Sequence, residues 1–201
     1  MFLLLSAPAS ADLLYDNGPI NGHSAYGINF GFEVSNSFNL SSASNLTQAQ
    51  IGLWTQFRGD VPISVDWSIG TDKFLSDKGS GTANLTNTLI NNYYGYGVFE
   101  STFPLSGTLA AGTYWLTLRN AVSISSVVNM GEPLYWDSSN GPSQAYQNNG
   151  VLVRSLENDL FPGSNSESFQ IHGTAVPEPG TMLLLGSGLI GLLGIRRKIK
   201  R

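Results

Sequence analysis

Several stretches of this chain alternate apolar and polar residues with a period of two. Between residues 28 and 40 one parity is apolar except for Asn36, and it holds Ile28, Phe30, Phe32, Val34, Phe38 and Leu40. Between residues 61 and 70 one parity holds Val61, Ile63, Val65, Trp67 and Ile69. Later stretches repeat the pattern with Tyr114, Leu116 and Leu118, and with Phe169 and Ile171. Successive side chains of a strand point to opposite faces, so this period predicts strands with one buried face.

Turn-forming residues separate these predicted strands. The chain has 23 glycines and 9 prolines among 201 residues, and they cluster in turns such as Asn17-Gly18-Pro19 and Asn140-Gly141-Pro142. Short strands that each have one apolar face must stack as two sheets to bury it. We therefore predict an all-β fold over residues 12–174, an antiparallel β-sandwich with jelly-roll-like connections.

The first eleven residues, MFLLLSAPASA, resemble the end of a signal peptide. An apolar stretch precedes Ala9-Ser10-Ala11, a site of the type that signal peptidase cleaves, so Asp12 would begin the mature chain. The apolar stretch is short and no cation precedes it, so we interpret residues 1–11 as a signal peptide remnant whose true start codon lies upstream. A buried first strand that begins at Met1 is the alternative.

The last residues combine an apolar run with a cationic end. Residues 181–195 carry no charge, and a helix over them would be about 22 Å long, shorter than the roughly 30 Å hydrocarbon core. The run is apolar on all sides and is followed by Arg196, Arg197, Lys198, Lys200 and Arg201. These features predict a single transmembrane helix whose basic tail, 196–201, lies in the cytoplasm, with the body across the membrane.

Three elements occur in a fixed order at this end: Val176-Pro177-Glu178-Pro179-Gly180, the apolar run and the basic cluster. Together they resemble the PEP-CTERM sorting signal of Gram-negative bacteria that have exopolysaccharide systems, which would occupy residues 175–201. The resemblance implies that exosortase, a membrane enzyme, processes the chain near Pro177, Glu178 and Pro179 and delivers the body to the cell envelope or the biofilm matrix. A simple tail anchor that is never cut is the alternative.

Phrases in the body, such as VDWSIGT and LAAGTYWLTLRNA, are similar to the β-sandwich ectodomains that often precede this signal. That similarity implies no defined activity. The body up to Gly180 holds five cationic residues against all 14 acidic ones, a formal charge of −9, which repels nucleic acid. The chain has no cysteine, so thiolate metal sites and cysteine nucleophiles are excluded.

No constellation of residues points clearly to catalysis or to a metal. The only histidines, His23 and His172, are expected to be solvated. A secreted hydrolase that uses Asp66 and Glu100 is an alternative, although sequence alone cannot set the separation of the two carboxylates. No cofactor is expected. A structural calcium ion at the loop 137–141 is an alternative, and an Asx-turn explains the same residues.

Two tryptophans are candidates for contact with a glycan. The parity of Ile51 and Leu53 leaves Trp54 on the outer face, and the parity of Leu116 leaves Trp115 there. An exposed indole offers a flat apolar surface on which a sugar ring can stack. The alternative is that a loop or the edge of the opposite sheet covers the outward tryptophan, or that a bulge shifts the parity. Tyr93, Tyr94 and Tyr96 form a second candidate patch. The sequence therefore predicts an exported, non-enzymatic envelope or matrix protein, with a glycan-binding module, or less favourably an ice-binding one, as the alternative.

Overall fold

The computed structural model describes residues 11–125, 132–157 and 165–176. Fifteen β-strands within these ranges form two antiparallel sheets, which confirms the predicted all-β fold. Among the described residues no helix is both long and apolar enough to cross a membrane. The predicted signal peptide before Ala11, the Pro-Glu-Pro segment, the helix over 181–195 and the basic tail all lie outside the described residues.

The strands divide unequally between the two sheets. The first sheet contains β1 (Asp12–Asp16), β2 (Ala25–Gly27), β4 (Ser44–Thr55), β7 (Thr86–Tyr93), β8 (Tyr96–Pro104), β9 (Thr108–Leu109), β11 (Leu134–Ser139), β14 (Ser166–Glu167) and β15 (Phe169–Ala175). The second sheet contains β3 (Glu33–Leu40), β5 (Pro62–Gly70), β6 (Gly79–Asn84), β10 (Gly112–Ser123), β12 (Ala145–Asn148) and β13 (Val153–Ser155).

The longest strand of the first sheet, β4, organises that sheet. It pairs with β15 along one edge and with β8 along the other, while β1 pairs with β15 and β7 with β8. The second sheet runs in the order β13-β12-β3-β10-β5-β6. The long strands β3, β4, β5, β8, β10 and β15 therefore alternate between the sheets along the chain, which is how a jelly roll connects its strands.

The core lies between the two sheets. Its first-sheet side includes Leu46, Ala49, Ile51, Leu53, Phe103, Trp136, Phe169 and Ile171, and its second-sheet side includes Val34, Phe38, Leu40, Val65, Ile69, Tyr114, Leu116 and Leu118. Full burial of one such side chain contributes about 1.5–3 kcal/mol. The period-two alternation correctly identified most of these positions, because each strand has one face toward the opposite sheet.

The alternation was wrong for Ile63, which is 37% exposed, and for two phenylalanines. Phe30 and Phe32 are 58% and 40% exposed, although they share the parity of buried residues. The backbone turns there: the N–H of Phe32 donates to the carbonyl of Asn29 at 3.0 Å, and Phe30 has a φ of 54°. A turn breaks the register of inward and outward positions, which starts again only when β3 begins at Glu33.

The sandwich has two ends, and the described chain enters and leaves it at the same end. At one end Ala175 pairs with Ser44 and Asp12 pairs with Gly173, so we call this end the terminal pole. The opposite end of β4, at Thr55, marks the distal pole. An antiparallel strand rises about 3.4 Å per residue, so the two ends of β4 lie about 37 Å apart.

Candidate functional site

Trp54 is buried, so the prediction that its indole faces solvent is wrong. Its side chain is 6% exposed, and the rings of Tyr93 and Tyr96 lie 6.2 Å and 5.6 Å from its own. The Trp54 side chain does project from the outer face of β4, as the alternation indicates. The segment 17–24 crosses that face and covers it, which a pattern local to β4 cannot reveal.

Asp137 holds this covering segment in place. Its Oδ1 accepts hydrogen bonds from the Trp54 indole at 2.7 Å and from the backbone N–H of Gly22 at 3.2 Å. Its Oδ2 accepts a hydrogen bond from the backbone N–H of Asn21 at 2.9 Å. Burial raises the pKa of Asp137 to about 6, and these hydrogen bonds act in the opposite direction. The carboxylate therefore serves as an anchor across the outer face of the first sheet.

This arrangement bears on the suggested calcium loop at residues 137–141. Calcium requires several oxygen ligands that face the ion, whereas the oxygens of Asp137 face N–H donors. Ser139 Oγ donates to the backbone carbonyl of Asn17 at 3.0 Å. Within the described part of the chain, no three His, Asp or Glu side chains are grouped so that they could hold a metal ion. The side chains of Asp137, Ser138 and Ser139 are thus engaged in internal hydrogen bonds.

Glu167 lies beside this anchor and is fully buried. Neither of its carboxyl oxygens has a hydrogen-bond partner among the described residues, while its backbone carbonyl accepts from Asn17 Nδ2 at 2.6 Å. Burial, and then the charge of Asp137, raise the pKa of Glu167 well above its ordinary value. Folding therefore shifts the equilibrium of Glu167 toward its protonated form, relative to the unfolded chain.

Gly52 makes room for this polar cluster on β4. A Cβ at this position would overlap Ser168 Oγ and would lie 2.7 Å from Ile20 Cγ1 and 2.9 Å from Asp137 Cβ. The segment that covers the outer face can approach the sheet only because this position has no side chain. Gly52 thus connects the sequence of β4 directly to the burial of Asp137.

Trp115 lies on the outer face of the second sheet and is partly exposed. Its ring packs edge-on against Tyr146 at a centroid distance of 5.6 Å. The Lys73 ammonium lies 4.9 Å from the Tyr146 centroid and 5.9 Å from that of Trp115. This cation covers part of the aromatic pair and leaves the rest accessible.

The remaining predicted groups do not come together. Asp66 belongs to β5 in the second sheet, and Glu100 belongs to β8 in the first. Partial burial raises the pKa of Asp66, but hydrogen bonds from Thr82 and Asn120 outweigh it, so the pKa lies below its ordinary value. His23 is exposed near β2. His172 is half-buried in β15.

The three tyrosines of the second candidate patch divide into two kinds. Tyr93 and Tyr96 pack against Trp54 and are half-buried. Tyr94 is 89% exposed at the turn between β7 and β8, with a φ of 49°. Tyr93 and Tyr96 therefore help to cover Trp54, whereas Tyr94 is an exposed turn residue.

The last strand leads directly into the C-terminal segment. β15 lies between β1 and β4, and the N–H of Val176 donates to the carbonyl of Ala43 at 2.8 Å. Residues 175–198 match the PEP-CTERM protein-sorting motif. The chain carries a PEP-CTERM sorting motif. This finding confirms the resemblance seen in the Pro-Glu-Pro segment, the apolar run and the cations up to Lys198.

The PEP-CTERM motif implies that the chain is exported, is anchored in the membrane while it is sorted, and is processed by exosortase. A comparison with curated proteins finds no match to this chain. The PEP-CTERM motif follows the sandwich directly, because β15 ends at Ala175, the first matched residue.

Sequence reasoning missed the anchor formed by Asp137. Its side-chain partner on β4 is 83 residues away in sequence, and its backbone partners are 115 and 116 residues away. The one available signal was Gly52, a glycine within an otherwise apolar strand segment, which often marks a close approach of another segment.

Proposed function

We propose that this chain is a non-enzymatic component of the cell envelope or of the extracellular matrix, and that its body associates there with exopolysaccharide. In this proposal the C-terminal segment is the sorting signal, and the β-sandwich is the part of the chain that is delivered. Export and processing by exosortase follow from the PEP-CTERM motif. The association with exopolysaccharide is our extension.

The observation that best supports this proposal is the position of the junction between β15 and the PEP-CTERM motif. β15 is an interior strand of the first sheet, and all fifteen strands within the described residues precede Pro177. Cleavage near Pro177–Pro179 would therefore remove none of these strands. The Pro residues also disfavour a continuous helix from the membrane into the body, which supports an accessible peptide at the cleavage position.

The positions of the acidic residues support a non-enzymatic role. A glycosidase needs two carboxyl groups about 5–9.5 Å apart across a shared cleft. Asp66 and Glu100 belong to different sheets, and their side chains have separate surroundings. A screen of the purified chain on glycosides and esters should give no turnover. Turnover that Glu100→Gln or Asp66→Asn abolishes would favour the hydrolase instead.

Mass spectrometry of the mature protein tests the sorting step. In cells that contain exosortase we expect a new C-terminus near Pro179. Replacing Pro177, Glu178 and Pro179 together by alanine, or deleting exosortase, should preserve the original C-terminus. An intact Arg201 on the wild-type protein in exosortase-containing cells would refute processing and favour a permanent tail anchor.

A glycan contact at Trp115 is a second candidate function. The partly exposed pair of Trp115 and Tyr146 supports it, because aromatic faces on a surface can stack on sugar rings. Trp115→Ala should then reduce binding to the exopolysaccharide of the producing cells. Unchanged binding in that variant would exclude this contact.

A further inference from the structure

A groove at the distal pole joins the two sheets. Its lining includes Tyr26, Phe30, Phe32, Tyr135, Gln147 and Arg154, and its volume is about 340 Å³. We call it the distal groove. Its volume lies at the lower end of the range found for small-molecule sites, and four of its ten lining residues are aromatic.

Two of these aromatic rings are presented to solvent. Phe30 and Phe32 lie on the turn between β2 and β3 and remain largely exposed. Phe30 has a φ of 54°, a conformation that is unfavourable for a bulky side chain. Strained residues tend to cluster at binding sites, where the surrounding structure maintains them. The fold therefore keeps the Phe30 ring in a costly conformation in which it remains 58% exposed.

Polar groups with defined orientations lie next to the rings. The Arg154 guanidinium lies 5.6 Å from the centroid of Tyr26, and its Nε and Nη2 donate to Gln147 Oε1 at 3.2 Å and 2.9 Å. Gln147 Nε2 donates in turn to the carbonyl of Gly27 at 3.2 Å. These contacts fix the amide and the guanidinium before any ligand arrives, which reduces the entropy lost on binding.

A second cavity adjoins the distal groove. This cavity, of about 250 Å³, is lined by His23, Trp54 and Tyr96, and it shares Ala25 and Tyr135 with the groove. The rings of Tyr96 and Tyr135 are 6.1 Å apart and nearly perpendicular. The two cavities therefore adjoin at Ala25 and Tyr135, and aromatic side chains line both of them.

We propose that the distal groove binds an extended glycan chain. The apolar faces of pyranose rings can stack on Phe32 and Tyr135, while the hydroxyl groups accept hydrogen bonds from the exposed Arg154 guanidinium, which the buried Gln147 holds in position. Two adjoining cavities with aromatic linings suit several linked sugar residues better than one compact ligand. This inference deepens the proposed association with exopolysaccharide and rests on it.

The position of the groove agrees with this role. The chain leaves the sandwich at Ala175 beside Ser44, whereas Tyr135 pairs with Trp54 near the other end of β4. Ten residues separate Ser44 from Trp54, which corresponds to about 34 Å. A body held through its C-terminal segment therefore carries the groove at the pole that is remote from the attachment.

Binding of defined oligosaccharides to the purified full chain in detergent micelles tests the inference. The probes are cellohexaose, chitohexaose, an alginate hexamer and the exopolysaccharide of the producing cells. We expect at least one probe to bind, and Phe32→Ala and Tyr135→Ala to weaken that binding at least tenfold, as loss of one stacking ring does elsewhere. Thermal unfolding of each variant shows whether it remains folded; Phe32 is exposed enough to be replaced safely.

Phe57→Ala is the matched control, because Phe57 is 50% exposed and lines neither cavity. It should bind like the wild type. Failure of every probe, or an equal loss in Phe57→Ala, would overturn the inference, as would a loss in Trp115→Ala without one in Phe32→Ala. A chain that is processed by exosortase but binds no glycan would remove the groove and the association with exopolysaccharide, and would leave the sorting step intact. A chain that binds but is never processed would remove only the sorting step.

Discussion

The indole Nε1 of Trp54 donates a 2.7 Å hydrogen bond to Oδ1 of Asp137, and this contact joins the outer faces of β4 and β11. Asp137 also accepts hydrogen bonds from the backbone of Asn21 and Gly22, so one carboxylate binds three N–H groups. The segment 17–24 is therefore fastened over a tryptophan that would otherwise be exposed. This arrangement gives rise to the first two predictions.

Trp54→Phe should lower the free energy of unfolding by about 2–3 kcal/mol at pH 7. The substitution removes a hydrogen bond to a buried charged group and keeps most of the apolar ring. Trp115→Phe is the control, since Trp115 is partly exposed, and it should cost less than about 1 kcal/mol. Urea denaturation measures both values. Equal losses in the two variants would show that the Trp54–Asp137 bond adds little.

The pH dependence of stability should reveal the buried carboxyl of Asp137. Its pKa is raised from 3.8 to about 6, so the folded chain binds the proton more tightly than the unfolded chain does. The stabilisation is complete below about pH 4 and is lost as the pH rises to about 6, a change of about 3 kcal/mol. Glu167, whose pKa is also raised, contributes in the same direction.

Urea denaturation between pH 4 and pH 8 measures this effect. In Asp137→Asn the decline between pH 4 and pH 6 should be smaller than in the wild type, because the titrating group is absent. An unchanged slope would contradict the raised pKa.

Gly52→Ala should destabilise the fold by about 1–3 kcal/mol, because the added methyl group would press against Ser168, Ile20 and Asp137. Gly81→Ala is a matched control on β6. Its Cβ would lie 3.5 Å from the Trp67 indole nitrogen, an ordinary contact, so we expect a change below about 0.5 kcal/mol. Thermal unfolding compares the two. A tolerated Gly52→Ala would mean that the covering segment moves aside easily.

Phe30→Gly should raise the free energy of unfolding by about 0.5–1 kcal/mol. Glycine relieves the positive φ, and this gain exceeds the extra entropy of the unfolded chain. The same variant should bind glycan more weakly, because the groove loses a ring. Phe57→Gly has no positive φ to relieve and should be destabilising. A destabilised Phe30→Gly would show that its ring supports the fold.

Two truncations should show that the sandwich folds without the C-terminal sorting segment but not without β15. A chain that ends at Val176 should retain a cooperative unfolding transition, because the described strands all precede that residue. A chain that ends at Ser168 loses β15, which lies between β1 and β4, and should not fold. Circular dichroism during heating distinguishes these outcomes. Loss of folding in the longer chain would mean that the C-terminal segment belongs to the body.

The sequence alone predicted the strands and the C-terminal signal well. Val34, Phe38, Leu116 and Ile171 are buried as their alternation indicated. The alternation failed at Phe30 and Phe32, where a turn interrupts the strand. Pattern reasoning assumes a continuous strand, and the turn there carries no Pro and only a single Gly between the two rings to announce the break.

The sequence by itself determined the all-β class and the PEP-CTERM motif, because both depend on residues that are close together in the sequence. The class follows from an alternation with a period of two, and the motif is a short linear segment. Only the tertiary structure decided that Trp54 is buried, that Asp137 is an anchor and that the distal groove joins the two sheets. The alternation shows from which face of a strand a side chain projects. What covers that face depends on segments up to 116 residues apart, and folding alone brings them together.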